Sequence, residues 1–260
     1  MKSLPKPTLL EYILYPIYQF CFAMIMVIFE PIQRIGSTLD YFFKGNKYHL
    51  LAVKYVNYFL VSNVKLLSIK VDVKFEEPIS YSKKYIIVSN HQSLLDPPII
   101  DYILPELQTR YIAKKELGKY VPSVSYNLTH GGSALVDRKN PKQAIGEILK
   151  LVKRTNNDTR SVACFPEGTR AKDGVLKKYK ATGFSILYQK LNDVKILPVT
   201  IDGSWMLQAR KYGPIPRRIT ITCTVHKPIT VDKDRSAEDV LNEIEEQTRK
   251  TLGGTSMENM

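Results

Sequence analysis

The chain has 260 residues and a formal net charge of +13, from 38 Lys and Arg against 25 Asp and Glu. That length is enough for one large α/β domain with an accessory element. The three cysteines, Cys21, Cys164 and Cys223, are far apart among apolar neighbours, which excludes a disulfide framework and a zinc site of paired cysteines. The positive charge indicates an anionic partner: nucleic acid, an anionic membrane surface or a phosphorylated substrate.

The amino-terminal region is unusually apolar for a soluble domain. Residues 12–29, YILYPIYQFCFAMIMVIF, contain no charged side chain, and 18 residues is the lower limit for a helix that spans a bilayer. Residues 50–69 are also apolar but include Lys54 and Lys65, and a lysine near mid-bilayer costs roughly 2.5–3.5 kcal/mol. We therefore predict that residues 1–68 form a membrane-anchoring element of two helices in one leaflet, with both lysines reaching toward the headgroups.

From residue 69 onward, short β-branched runs alternate with helical patterns. The predicted strands are IKVDVKF, YIIVS, RYIA, ALVD, VACF, ILPVTI and ITITCTV. Asn140 and Pro141 predict the start of one helix, and Ser236 with Asp239 predicts a capping box at another. The fold class is thus α/β, with a mixed, largely parallel central sheet of about seven strands covered by helices. This domain is expected over residues 69–252, and a flexible tail over residues 253–260.

The stretch YIIVSNHQSLLDPP, residues 85–98, ends a predicted strand with a histidine and an aspartate five residues apart. On a continuous helix His91 and Asp96 would not share a face, but Pro97 disfavours helical geometry at Asp96, so a compact loop can bring the carboxylate to the imidazole. A carboxylate that accepts from one ring nitrogen leaves the other free to act as a base. The alternative is that Asp96 caps the helix that follows it.

A second motif, FPEGTR at residues 165–170, follows the strand VACF in the same way. It places a carboxylate, a glycine, a hydroxyl and a guanidinium within four residues, a combination suited to binding a phosphate beside a hydroxyl. In open α/β sheets, sites gather beyond the carboxyl ends of strands, so both motifs are expected at one edge of the sheet.

Together these motifs resemble those of the glycerolipid acyltransferases, of which 1-acylglycerol-3-phosphate acyltransferases are typical. NHQSLLD is similar to that family's NHxxxxD motif, and FPEGTR is identical to its second motif. The resemblance extends to a basic element, a G-x-x-x-x-D-R element, an apolar strand with a proline and a K-x-x-G element, matched by KKELG (114–118), GSALVDR (132–138), ILPVTI (196–201) and KATG (180–183).

The resemblance implies transfer of a fatty acyl group from acyl-CoA or acyl carrier protein to 1-acylglycerol 3-phosphate, which gives phosphatidic acid. His91 would be the general base and Asp96 its orienting partner. The residues expected to bind the phosphorylated acceptor are Lys114, Arg138, Glu167, Gly168, Thr169 and Arg170. Glu167 is the candidate for a hydrogen bond to a glycerol hydroxyl. Residues 69–252 would then be the catalytic domain, and no resident cofactor or metal is expected, because the four histidines show no paired ligand spacing.

Two alternatives remain open from the sequence. The acceptor could be glycerol 3-phosphate or another lysophospholipid, since the motifs specify acyl transfer better than they specify its acceptor. A protein that only binds the membrane surface is the non-enzymatic alternative, and the basic, aromatic segment RKYGPIPRR (210–218) favours it. The predicted partners are anionic membrane lipid, lysophosphatidate and the thioester carrier, without nucleic acid. The predicted location is the cytoplasmic face of the inner or cell membrane.

Overall fold

The computed structural model describes residue 4 and residues 6–210 and 213–258, with side chains described up to residue 253. Lys211 and Tyr212 of the basic segment lie outside the described residues. The α-helices are α1 Leu9–Phe42, α2 Lys47–Ser62, α3 Asp96–Ile103, α4 Val124–His130, α5 Pro141–Asn156, α6 Ala181–Lys190 and α7 Ala237–Glu258. The strands are β1 Lys70–Phe75, β2 Lys84–Ser89, β3 Arg110–Lys114, β4 Ala134–Val136, β5 Val162–Cys164, β6 Val194–Asp202, β7 Thr220–Val225 and β8 Ile229–Thr230.

The strands form one sheet in the order β1-β7-β6-β2-β5-β3-β4, with β8 paired to β6. Every pairing is parallel except those of β6 with β7 and β8. The centre of β2 is apolar because it is buried on both faces: Ile87 packs toward α2 and α3, whereas Ile86 and Val88 pack toward α5, α6 and α7. The prediction of a mixed, largely parallel sheet of about seven strands is confirmed, and β8 is a two-residue addition.

Both predicted helix starts form, and the last helix extends past residue 252. Asn140 Oδ1 accepts from Gln143 N at 3.0 Å, and Ser236 Oγ accepts from Asp239 N at 3.0 Å. The backbone of α7 continues to Glu258, into the segment predicted to be a flexible tail. A glycine pair weakens a helix without ending it, and TSME supplies no proline to stop one that is already propagating.

Helix α1 is longer than the apolar run predicted it to be. It has 34 residues and continues through Pro31, so it is about 51 Å long at 1.5 Å per residue. It contacts the α/β domain near both of its ends. Near the amino end, Glu11 Oε1 accepts from Arg217 N at 2.9 Å. In the other half, Gln33 Nε2 donates to Ser123 Oγ at 2.8 Å. The polar residues of α1 therefore attach the helix to the domain instead of ending it.

The outer faces of α1 and α2 are exposed and apolar. By length and composition, α1 and the segment Lys47–Leu67, which begins with α2, are each able to cross a membrane, and only 6% of the apolar window of α1 is buried. Lys54, predicted to reach toward headgroups, instead pairs with Glu106 of the α/β domain at 2.7 Å. The carboxylate lies within reach of the lysine because α2 packs against α3, which precedes Glu106 in the chain.

Candidate active site

The loop that carries His91 begins at a fixed point on the sheet. Asn90, the residue after β2, donates through Nδ2 to Ile201 O at 2.7 Å and accepts through Oδ1 from Ile201 N at 2.8 Å. Ile201 lies on the neighbouring strand β6. The side chain of Asn90 thus takes the place of the next pair of backbone hydrogen bonds between β2 and β6, and the chain turns away from the sheet at His91.

The His91 loop folds around the buried carboxylate of Asp96. Its Oδ2 accepts from His91 Nδ1 at 2.8 Å, from Gln92 N at 2.6 Å and from Ser93 N at 2.8 Å. Its Oδ1 accepts from Ser204 Oγ at 2.7 Å. None of these donors belongs to α3, whose N-cap is Leu95. The carboxylate closes the His91 loop, and it does not cap α3 as the alternative interpretation requires.

The orientation of His91 follows from these contacts. An ionised carboxylate only accepts, so Nδ1 carries the proton and Nε2 is the unprotonated nitrogen. The ring stacks on Phe165 with centroids 4.3 Å apart. The side chain is 18% exposed and lines a large cavity. The hydrogen bond to Asp96 and the stacking on Phe165 therefore hold the imidazole at the cavity wall.

Glu167 ties the two motifs together. Its Oε1 accepts from His91 N at 2.6 Å and its Oε2 from Lys177 N at 3.1 Å, and burial raises the pKa of its carboxyl to about 7. Ala171 N also donates to His91 O, at 2.7 Å. Glu167 was predicted to bind a glycerol hydroxyl, but it is buried outside the cavity lining and both of its oxygens already accept from backbone amides.

The other predicted binding residues are brought together. Lys114, Arg138, Gly168, Thr169 and Arg170 line the same cavity as His91, which has a volume of about 980 Å³. Gly168 has a φ of +69°, a conformation that favours glycine and turns the chain after Pro166.

Two further cations, Lys172 and Lys177, also line this cavity. Lys177 donates through Nζ to Thr169 Oγ1 at 3.0 Å and to Arg170 O at 2.8 Å. We call Lys114, Arg138, Arg170, Lys172 and Lys177 the cation mouth. Four of them, all but Arg170, are exposed, so they mark the open side of the cavity.

Beyond His91 the same cavity is lined largely by apolar side chains. Helix α1 contributes Phe22 and Met26, and α2 contributes Val56 and Leu60. Leu94 lies on the His91 loop between these helices and the imidazole. One continuous space therefore joins a cationic opening, a basic nitrogen and an apolar interior that suits a hydrocarbon chain.

The described cysteines offer no nucleophile at this site. Cys164 and Cys223 are buried, and burial raises the pKa of each thiol to about 12. Within the described ranges, no group of three or more His, Cys, Asp or Glu side chains is placed to hold a metal ion. Catalysis at the cavity must be argued from His91 and its surroundings.

Comparisons with known proteins agree with this geometry. Residues 70–202 match the family model described as Acyltransferase. The chain is 31% identical to a 1-acyl-sn-glycerol-3-phosphate acyltransferase of Saccharomyces cerevisiae, over 74% of this chain and 62% of that protein. It is 38% identical to one from Helicobacter pylori, over 46% of this chain and 48% of that protein. The matched segments thus span about half to three-fifths of these relatives.

The fold is also similar to a solved structure. The crystal structure of the 1-acyl-sn-glycerophosphate acyltransferase from Thermotoga maritima superposes with a TM-score of 0.75. The match covers 94% of this chain and 95% of that one, at 24% sequence identity. The coverage includes the amino-terminal helices as well as the sheet, so the whole arrangement has a counterpart in a known fold.

Proposed function

The chain belongs to the acyltransferase family, and we propose that it transfers a fatty acyl group from a thioester to the free hydroxyl of 1-acylglycerol 3-phosphate. The product is phosphatidic acid, an intermediate of phospholipid biosynthesis. The observation that carries this proposal is the position of His91 in the cavity wall, between the cation mouth and the apolar interior. A lysophospholipid has the matching order of groups: a phosphate, a hydroxyl and a hydrocarbon chain.

In the proposed reaction, His91 Nε2 takes the proton of the acceptor hydroxyl as its oxygen attacks the thioester carbonyl. The new C–O bond forms, the C–S bond breaks, and the leaving thiolate takes the proton from the imidazolium. Asp96 stabilises that imidazolium through Nδ1 and keeps the ring oriented. An acyl-enzyme on Ser93 is disfavoured because Ser93 is buried and its hydroxyl accepts from Leu95 N at 3.2 Å within the loop.

The cation mouth is the proposed site of the acceptor phosphate. Arg170 Nη1 donates to Gln208 Oε1 at 2.5 Å, which positions the guanidinium. The guanidinium can present two N–H groups to phosphate oxygens. Lys114 and Arg138 face the same space and add positive charge. Lys177 joins this group because its contacts with Thr169 and Arg170 place its ammonium at the turn of the second motif.

We further propose that α1 and α2 lie in one leaflet, at the cytoplasmic face of the inner or cell membrane. The support is the attachment of α1 near both ends to the same domain, through Glu11 and Gln33. A helix so attached lies along the domain, and its exposed apolar face is available to lipid. Both helices contribute residues to the lining of the active-site cavity.

The activity is tested with the purified full-length protein, radiolabelled lysophosphatidate, and palmitoyl-CoA or palmitoyl acyl carrier protein. Labelled phosphatidate is the expected product with at least one donor. An acceptor panel that includes glycerol 3-phosphate tests the specificity. Transfer to another acceptor with no phosphatidate formed would contradict the assignment, and so would the absence of transfer from either thioester.

The membrane arrangement is tested separately with cysteines introduced at Lys6 and Lys44 in a variant without native cysteines. In sealed vesicles of known orientation, an impermeant maleimide is expected to label both positions from the cytoplasmic side. Labelling of the two positions from opposite sides would show that α1 crosses the bilayer. A cysteine at Lys153, on α5 of the catalytic domain, marks the cytoplasmic side as the control.

A further inference from the structure

A second, smaller cavity lies beside α1, with a volume of about 350 Å³. We call it the outer pocket; its lining includes Glu30, Arg34, Lys119, Tyr120, Tyr126 and His130. The Arg34 guanidinium lies 4.6 Å from the centroid of the Tyr126 ring, and the His130 ring stacks on Tyr126 at 3.8 Å. Arg34 also pairs with Glu30 at 2.6 Å, and Lys119 leaves the pocket with a net positive charge.

Only a thin wall separates the outer pocket from the active-site cavity. Val121 lines both spaces. Ser123 Oγ accepts from Gln33 on the active-site side, while Ser123 N donates to Glu30 Oε2, at 3.0 Å, on the outer side. Tyr120 and Ser123 have φ values of +65° and +63°, which are costly for residues other than glycine. The neighbours of this segment hold it in a strained conformation between the two spaces.

The active-site side of the wall carries an unused hydrogen-bond acceptor. Gln33 is 0% exposed and lines the active-site cavity, and none of the described residues donates to its Oε1. A buried carbonyl without a partner costs about 1–3 kcal/mol. Gln33 Oε1 suits a ligand that contains a secondary amide, because the amide N–H can donate to it.

We propose that the phosphopantetheine arm of the thioester donor lies across this wall, an inference that rests on the proposed function. Its thioester is at His91, an amide of the arm donates to Gln33 Oε1, and its phosphate lies in the outer pocket near Arg34 and Lys119. Coenzyme A and acyl carrier protein present the same arm, so one site serves either carrier. Two phosphorylated substrates then reach one imidazole from separate cationic regions, which limits the repulsion between their phosphates.

The first test uses Gln33→Met, which keeps the approximate size of the side chain and removes the acceptor. The KM for palmitoyl-CoA should rise about fivefold, because one hydrogen bond to a neutral group is lost, while the KM for lysophosphatidate should not change. Palmitoyl N-acetylcysteamine keeps one amide of the arm and lacks the phosphate, so the variant should show the same effect with it. An effect on the acceptor KM alone would overturn the assignment of Gln33.

The second test uses Lys119→Gln, because Gln33→Met also removes the hydrogen bond to Ser123. This variant should raise the KM for palmitoyl-CoA and for palmitoyl acyl carrier protein about threefold, as expected for a lost contact to a charged group. It should leave the KM for palmitoyl N-acetylcysteamine unchanged. Lys153→Gln removes the same charge far from both cavities and is the matched control. An equal effect on all three donors would overturn the phosphate site.

Binding without turnover separates this inference from the proposed function. Calorimetry with 4′-phosphopantetheine should detect binding to the wild-type protein in detergent and weaker binding to Lys119→Gln. No binding to the wild-type protein, or equal binding to both, would overturn the inference even if phosphatidate forms. Weaker attachment of Lys119→Gln to phosphatidylglycerol vesicles, with donor kinetics unchanged, would assign the outer pocket to a lipid headgroup instead. Loss of transfer by the wild-type protein would overturn the proposed function alone.

Discussion

The surroundings of His91 and the cation mouth differ in how firmly the chain holds their side chains. Asp96 accepts four hydrogen bonds at 0% exposure, and Glu167 fixes the backbone of His91 from the opposite side. In the mouth, Lys114 pairs with the exposed Glu116 at 3.1 Å, whereas Arg170 is bonded to Gln208. In the proposed mechanism, proton transfer then depends on a geometry that is set before the substrate binds, and the exposed lysines of the mouth adapt to the phosphate.

The largest effect on kcat is expected from His91→Ala, which removes the proposed general base. The variant should lose about 10² to 10⁴ in kcat, the contribution of a general base, with the KM for lysophosphatidate nearly unchanged because the cation mouth is intact. Steady-state kinetics measure both values, and the thermal midpoint shows that the variant is folded. More than a tenth of wild-type kcat in a folded variant would remove His91 from the mechanism.

Asp96→Asn should reduce kcat, but by less than His91→Ala does, because the imidazole is still present. The amide carries no charge to stabilise the imidazolium, and its NH₂ either faces the N–H donors of Oδ2 or replaces Oδ1 and donates to Ser204 Oγ. Ser204→Ala is a milder matched variant that removes one of the four bonds and should cost a few-fold in kcat. A fully active Asp96→Asn enzyme would contradict the orienting role.

Glu167→Gln should lower kcat about tenfold, because one backbone amide at the junction of the two motifs loses its acceptor. Burial raises the pKa of this carboxyl from 4.5 to about 7, so the folded protein binds the proton more tightly than the unfolded chain. Its contribution to the free energy of unfolding therefore falls as the pH rises from about 4.5 to about 7.

The pH dependence of the Glu167→Gln variant provides the check. The stability advantage of the wild-type protein over the variant should be largest near pH 5 and should shrink toward pH 7. Chemical denaturation at a series of pH values measures the advantage directly. A difference that grows over this range would have the wrong sign and would contradict the raised pKa.

The smallest effect is expected at the mouth. Arg170→Lys should raise the KM for lysophosphatidate about fivefold with kcat little changed, because a planar fork becomes a point charge among other cations. Lys178→Gln changes a nearby exposed lysine outside the cavity lining and serves as the control. An effect confined to the thioester KM would place Arg170 at the donor.

The sequence predicted the candidate catalytic and binding side chains better than the distant residues that hold these side chains in place. His91, Asp96 and Arg170 stand in local motifs beside strand ends, where short-range patterns are informative. Ser204 contacts Asp96 from 108 residues away, and Gln92 accepts from Trp205 N at 3.3 Å across a similar separation. No local pattern marks such partners. The second motif also contains Glu167, but the motif does not reveal that the fold brings the backbone amides of His91 and Lys177 to this carboxylate.

The length of α1 was underestimated for a related reason. Glu30 and Pro31 are reasonable helix-ending signals when read locally. Their context changes that interpretation, since Glu30 Oε2 accepts from Ser123 N across 93 residues of sequence. Tertiary partners thus decided the extent of the helix, while the apolar composition alone correctly indicated its exposed face.

The attachments of α1 also constrain the order in which the chain can fold. Gln33 bonds to a residue 90 positions later, and Glu11 to one 206 positions later. During synthesis, α1 is complete long before Ser123 or Arg217 leaves the ribosome, and such non-local contacts form slowly. In the proposed membrane arrangement, the apolar face of α1 is therefore available to lipid before the α/β domain has folded against this helix.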